Sequence, residues 1–183
     1  VFIMSLPLHF KTLLDTVPAK IPYLYSPEGD QVEWMKYFSK PSFYVGLVWK
    51  GNEKNPNDSF RSLPSLDVLK SLWEVDGVSF ISLQKGSAEK EVEIFNDTQP
   101  MIHLGNKIND FSESAAIISQ LDLVICVDTA VAHLAAALNK PCWIMLSYSG
   151  TDWRWPNERD GSPWYPNIVS LFRQSKDKKW ERV

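Results

Sequence analysis

Leu123-Val124-Ile125-Cys126-Val127 runs directly into Asp128-Thr129-Ala130-Val131-Ala132-His133-Leu134-Ala135-Ala136-Ala137-Leu138, and this passage decides the fold. Its first five residues have the length and β-branched character of a parallel strand covered on both faces. A parallel strand needs a crossover, and the following residues supply a helix. On a helix from Thr129 to Leu138, with Asp128 as N-cap, Ala130, Val131, Leu134, Ala135 and Leu138 share one apolar face. Thr129 and His133, four apart, lie together on the other side. The first N–H groups of such a helix have no internal partner and carry the positive end of the dipole, so phosphate groups bind there readily. A plain cap at Asp128 and a surface histidine at 133 fit the local pattern as well.

Outward from this junction, short apolar runs alternate with helical stretches from residue 45 onward. That alternation predicts an α/β fold, a doubly wound parallel sheet, with strands at 45–49, 78–83, 101–104, 123–127, 142–146 and 168–172. Leu66 to Glu74 reads as a helix, and Asp110-Phe111-Ser112-Glu113 is a capping-box-like start to a helix ending near Leu121. Residues 87–97 are charged and weakly helical. Residues 1–40 differ: Pro7, Pro18, Pro22 and Pro27 punctuate them, and only Gln31 to Phe38 reads as helix. They read as a connecting segment. No internal repeat is present, and the 34-residue tetratricopeptide pattern is absent from this chain.

With 183 residues, 44% of them hydrophobic and 22% charged, the chain can bury one sizeable core. A net charge of −3 argues against a nucleic-acid partner or a polybasic membrane anchor. Cys126 and Cys142 each sit in an apolar strand-like run, where a thiol acts as a small hydrophobe. No stretch is long enough to span a membrane, and Val1-Phe2-Ile3-Met4 lacks the flanks of a signal peptide, so the expected location is the cytoplasm. The chain opens on Val1 inside a strand-like fragment, as a piece of something longer would.

Val127 to Pro141 resembles the donor-site motif of the lipopolysaccharide heptosyltransferase family, in which a strand ends in Asp-Thr-Gly-Leu-Ser-His and the helix N-terminus holds the diphosphate of a sugar nucleotide. Ala130 and Ala132 stand where Gly and Ser are usual. Further motifs are Val45 to Asn52, Arg61-Ser62-Leu63-Pro64, Phe80 to Lys85, Asp152-Trp153-Arg154-Trp155, and Ser162 to Pro166. Together they resemble the C-terminal catalytic region of bacterial glycosyltransferases that carry tetratricopeptide repeats upstream, over about Met4 to Gln174. The resemblance implies the C-terminal, Rossmann-like, donor-binding half of a GT-B fold at 41–183, with residues 1–40 the end of an N-terminal domain plus the interdomain linker. It also implies a nucleotide-sugar donor, UDP- or ADP-linked, a protein or glycan acceptor, and a general base on the N-terminal domain.

In an open α/β sheet the loops beyond the carboxyl ends of the strands converge on one crevice at the topological switch point. The loop after the first strand carries Lys50, Lys54 and Arg61, cations that can offset the charge developing on a leaving nucleotide diphosphate. Arg61 is the strongest candidate, because the heptosyltransferase resemblance puts a phosphate-contacting basic residue there; a solvated loop arginine is the alternative. Gln84 and Lys85 end the second strand on the same edge, within reach of a phosphate or ribose hydroxyl or simply as turn residues. The resemblance assigns nucleobase contacts to Asn109 and Asp110, and Asp110 also reads as an N-cap. Glu89 is a further candidate for a ribose. Asp128 and Arg61 are the expected catalytic pair, with Thr129, Ala130, Val131 and His133 on the donor. Trp153, Trp155, Trp164 and Tyr165 suit a sugar or acceptor surface, and suit packing against a partner domain better, because so large an apolar patch is rarely left bare.

His9, His103 and His133 lie in separate segments without metal-ligand spacing, and no DxD-type carboxylate pair is present. The expected chemistry is therefore metal-free transfer of a sugar to a hydroxyl. The alternatives are an ADP-heptose:lipopolysaccharide heptosyltransferase, a protein transferase of the O-GlcNAc type, a non-catalytic sugar-nucleotide-binding or interaction module, and an epimerase, for which catalytic carboxylates are not identifiable.

Overall fold

A computed structural model describes residues 2–95, 101–180 and 183. Six parallel strands form one sheet in the order β3-β2-β1-β4-β5-β6. They are β1 (Phe43–Val48), β2 (Val78–Ser82), β3 (Met101–His103), β4 (Leu123–Val127), β5 (Cys142–Leu146) and β6 (Val169–Arg173). Each lies within two residues of its expected span, because a buried parallel strand is a continuous apolar run and the runs here are separated by polar turns. The α-helices are α1 (Leu6–His9), α2 (Glu28–Trp34), α3 (Asp58–Arg61), α4 (Lys90–Phe95), α5 (Phe111–Ile118) and α6 (Ala130–Ala137). Leu66–Glu74 winds as a 3₁₀ helix. Of the charged stretch 87–97, positions 96 and 97 lie outside the described residues.

Alternate strand residues feed two cores. Val48, Ile81, Val124, Cys126 and Ile144 pack under α5 and α6 on one face. Val45, Leu47, Phe80, Ile125 and Val127 pack under Leu66 and Leu69 of the 3₁₀ helix and Val92 of α4 on the other. Helices on both faces make the sheet doubly wound, as the pattern predicts. Cys126 and Cys142 are buried on adjacent strands with their sulfurs 3.7 Å apart, and both are free thiols. No helix among the described residues is long and apolar enough to cross a membrane.

The expected helix at Gln31 to Phe38 starts earlier, as α2, and continues as a 3₁₀ turn at Met35–Tyr37. It lies on α5: Trp34 is buried in the core, Ser112 Oγ donates to Asp30 Oδ2 at 2.7 Å, and Gln120 Nε2 donates to the Gln31 carbonyl at 3.2 Å. Further back, the amides of Tyr23 and Leu24 donate to the Ala137 carbonyl at 3.1 and 3.2 Å, at the far end of α6. The proline-punctuated segment is thus tied to the helix that starts at the sheet edge.

Candidate functional site

The strand order turns back between β1 and β4, and an open cleft of about 1550 Å³ lies beyond the carboxyl edge at that point. All ten residues expected at the site line it: Lys50, Arg61, Gln84, Asn109, Asp110, Asp128, Thr129, Ala130, Val131 and His133. The parallel strands end together, so the loops after β1 to β4 have nowhere else to meet. Their side chains differ in what they have left to offer a ligand.

Asp128 is not the cap of α6. The helix begins at Ala130 with Thr129 as N-cap, in extended conformation at φ −138° and ψ 171° and without a side-chain capping bond. Asp128 instead accepts a hydrogen bond from Trp155 Nε1 at 2.9 Å through Oδ1. The aromatic loop, invisible to a local pattern, competes for the carboxylate. Thr129 Oγ1 is enclosed and lacks a hydrogen-bond partner among the described residues. The first N–H groups of α6 therefore open into the cleft uncapped. The expected apolar face is also displaced: Ala132 and Leu134 to Ala137 are buried, whereas Ala130 is exposed and Val131 half-buried. Layered between β4, β5 and the aromatic loop, α6 is enclosed nearly all round rather than on one stripe.

Arg61 ends α3 beside the cleft, its Nε 3.6 Å from Asp58 Oδ1. Asp58 also accepts from Ser62 Oγ at 2.9 Å, and Ser62 Oγ accepts from the Gly51 amide at 2.8 Å. A Cβ at Gly51 would come within 2.5 Å of Asp58 Oδ1, so any other residue there displaces this carboxylate from its present position. Arg61 Nε makes no hydrogen bond among the described residues. Lys50, by contrast, is ion-paired with Glu91, which also accepts from Trp49 Nε1 and the Leu66 amide.

Gln84 is a structural staple rather than a ligand contact. Only 1% exposed, its Oε1 accepts from the Trp49 and Lys50 amides, and its Nε2 donates to the Lys50 and Lys85 carbonyls. Both acceptor lone pairs and both donors are taken. Gln84→Met is expected to strand these four backbone groups and cost about 1–3 kcal/mol of stability, read as a lower melting temperature. A variant that melts like the wild type would show that water replaces the amide. Lys85 is likewise drawn inward, donating to the Gly105 and Ile108 carbonyls at 2.8 and 2.6 Å. Glu89 accepts from the Gly86 amide at 2.7 Å and lies 3.5 Å from His103 Nε2.

Asp110 caps α5, its Oδ1 accepting from the Glu113 amide at 2.9 Å. The reciprocal half of the expected capping box reaches one residue further back: Glu113 Oε2 accepts from the Asn109 amide at 2.6 Å. Asn109 Nδ2 donates to the same carboxylate and to the Lys107 carbonyl, and both residues stand exposed at the mouth.

Three of the four aromatic side chains of the loop, Trp155, Trp164 and Tyr165, pack into this domain. Trp155 is 1% and Tyr165 5% exposed, because the loop returns over the sheet edge and Arg173 of β6 donates to the Trp155 and Pro156 carbonyls at 2.9 and 2.7 Å. Trp155 stacks on His133 at 4.9 Å and 16°. Trp153 alone of the four stays largely open, edge-on to Trp164 at 4.7 Å. Asp152 and Arg154 join the cleft wall as an ion pair at 2.8 Å. Hydrogen bonding to Arg154 holds the Asp152 carboxyl below its usual range. Burial lowers the His133 pKa, Arg154 lowers it further, and Asp128 and Asp152 oppose the shift. Among the described residues no group of three or more His, Cys, Asp and Glu side chains is arranged to hold a metal ion.

The fold is shared with solved heptosyltransferases. Escherichia coli ADP-heptose lipopolysaccharide heptosyltransferase II superposes with a TM-score of 0.64 at 18% identity, over 88% of this chain and 49% of that one. E. coli heptosyltransferase WaaC, solved with ADP, gives 0.57 at 13% identity, over 92% and 49%. A family 9 glycosyltransferase from Veillonella parvula gives 0.60 at 12%, over 87% and 45%. In sequence, Protein FlbA of Caulobacter vibrioides is 25% identical over 170 residues, which take in 84% of this chain and 26% of that protein. The chain thus spans about half of these solved proteins and about a quarter of FlbA. Residues 74–179, which carry β2 to β6 and the α6 junction, match one family in particular. The chain belongs to glycosyltransferase family 9, the heptosyltransferase family.

Proposed function

We propose that the cleft binds a nucleotide-sugar through its diphosphate at the N-terminus of α6, and that the protein transfers the sugar to a hydroxyl acceptor without a divalent metal. One observation carries this reading: α6 opens into the cleft without a side-chain cap, and beside its first N–H groups the enclosed Thr129 Oγ1 has no hydrogen-bond partner among the described residues. Arg61 stands on the facing loop. A leaving diphosphate gains charge as the glycosidic bond breaks, and fixed donors aimed at that charge stabilise the transition state more than the ground state. Helix N–H groups and one guanidinium supply such donors, the role a bound Mg²⁺ takes elsewhere. Asn109 and Asp110 at the mouth suit the nucleoside end.

Family membership supports the reaction class. One solved neighbour is an ADP-heptose transferase and another was solved with ADP, so ADP stands beside UDP as the nucleotide to test. We place residues 1–40 at the end of an N-terminal domain and its linker, with the general base on that domain, tetratricopeptide repeats further upstream, and the whole protein in the cytoplasm. The acceptor is a protein or glycan hydroxyl. By itself the 183-residue chain then binds donor and transfers nothing.

Calorimetric titration of the chain with ADP and with UDP tests the metal-free reading. Affinity for the preferred nucleotide is expected to be the same in EDTA and in Mg²⁺ or Mn²⁺. Binding that appears only when a divalent ion is added would overturn it.

A further inference from the structure

Tyr23, Tyr165 and His133 form a hydrogen-bonded chain from the proline-punctuated segment to the cleft. The hydroxyl oxygens of Tyr23 and Tyr165 lie 3.3 Å apart, and Tyr165 Oη lies 3.0 Å from His133 Nδ1. Trp155, stacked on the imidazole and tied to Asp128 by its indole N–H, fixes the plane of the ring. Within that plane Tyr165 grips it at Nδ1, the one hydrogen bond to the ring among the described residues.

The direction of these bonds follows from basicity. An unprotonated imidazole nitrogen is a far better acceptor than a phenol oxygen, whose lone pair is drawn into its ring, so the shorter contact has Tyr165 donating to Nδ1. Tyr165 has one proton to give, and its oxygen then accepts from Tyr23. A neutral imidazole that accepts at Nδ1 carries its proton on Nε2. That atom makes no hydrogen bond among the described residues, and His133 lines the cleft one turn along α6 from Thr129. The protonation states agree with this. Burial, aided by Arg154 and opposed by Asp128 and Asp152, holds the imidazole neutral, and burial keeps the Tyr165 hydroxyl protonated.

We propose that Tyr165, backed by Tyr23, is a positioning residue that holds His133 as its Nε2–H tautomer and so presents a neutral hydrogen-bond donor to the phosphate-binding end of α6. What Nε2–H meets rests on the donor-site reading above; the tautomer does not. Tyr23 belongs to the segment whose amides also hold the Ala137 carbonyl, so one stretch of chain touches the far end of α6 directly and its middle, at His133, through Tyr165. A shift of that stretch reaches the histidine through a single hydroxyl.

The ring nitrogens of His133 in the ¹⁵N-labelled 183-residue chain, read by NMR above neutral pH, test the proposal. The wild type is expected to show a bare Nδ1 and a protonated Nε2. Tyr165→Phe, which removes only the hydroxyl, is expected to mix the tautomers, and Tyr23→Phe to move both signals part of the way. Tyr23 is half-exposed, so that variant serves even if Tyr165→Phe folds poorly. In parallel, Tyr165→Phe is expected to weaken ADP binding about three- to tenfold, with no further loss when added to His133→Ala. A packing defect would add to the second change instead of vanishing in it. Protonated Nδ1 in the wild type, or a ring unaltered by Tyr165→Phe, overturns the proposal. A locked tautomer in a chain that binds no ADP or UDP leaves the lock standing and overturns the donor-site reading.

Discussion

Arg61→Ala weakens nucleoside diphosphate binding roughly ten- to a hundredfold while leaving nucleoside affinity nearly unchanged; this is the expected result of removing a charge-assisted bond to phosphate, worth about 1.5–3 kcal/mol. Three features of the site support it. The guanidinium is held beside Asp58 by a network that closes on Gly51, so it is pre-ordered rather than a swinging surface side chain. Lys50 is neutralised by Glu91, and Lys85 is drawn to two carbonyls, which leaves Arg61 the least engaged of the three. Asp58 compensates only one side of it at 3.6 Å. The same contact means that Arg61→Ala also loosens the loop, by about 1 kcal/mol or less for a partly exposed pair. Arg61→Lys separates the two effects: it keeps a cation near Asp58 but loses the planar fork. Diphosphate affinity is expected to fall in both variants and stability mainly in the alanine. Equal loss of nucleoside and diphosphate affinity would move the phosphate site away from Arg61.

Gly105→Ala is expected to be the most damaging single methyl group in the chain. A Cβ at this position would lie 1.8 Å from the Gln84 carbonyl oxygen and 2.8 Å from its carbon. Backbone there cannot yield cheaply, because the Gln84 side chain is bonded to the β1 loop and Lys85 Nζ is bonded to the Gly105 carbonyl itself. Overpacking ordinarily costs about 1–3 kcal/mol, and a contact this short with main chain belongs beyond that range, at more than about 3 kcal/mol. For a chain of this size that is a fall in melting temperature of roughly 6–12 °C. Gly29→Ala in α2 is the control: nothing lies within 4 Å of its Cβ, and alanine in a helix gains about 0.5–1 kcal/mol. A Gly105→Ala protein that melts beside the wild type would mean that the β2 and β3 loops are looser than this packing implies.

The contrast between these two positions shows where the sequence was legible. The polar loop after an apolar strand, with its cations Lys50, Lys54 and Arg61, is a pattern visible in one dimension, and the heptosyltransferase resemblance singles out Arg61 among them. Gly105 did not stand out, since nothing in Leu104-Gly105-Asn106 shows that the Gln84 carbonyl crosses above it. The same division runs through the site. Gln84 looked like a ligand because it ends a strand at the right edge, and it is instead the amide that joins the loops after β1 and β2. Asp128 looked like a cap because it precedes a helix, and a tryptophan 27 residues later claims its carboxylate.

By itself the sequence determined the strand spans, the doubly wound class and the edge of the sheet where the cleft lies, because these depend on short-range periodicity and on parallel strands ending together. Only the tertiary structure decided which polar groups at that edge remain available. Among the described residues Thr129 Oγ1 and Arg61 Nε are left without hydrogen bonds, whereas Gln84, Lys85 and Glu89 are taken up by the fold. It also turned the aromatic loop inward onto His133. The physical reason is that a buried polar group takes whichever partner is nearest in space, and in a sheet ordered 3-2-1-4-5-6 that partner is seldom near in sequence.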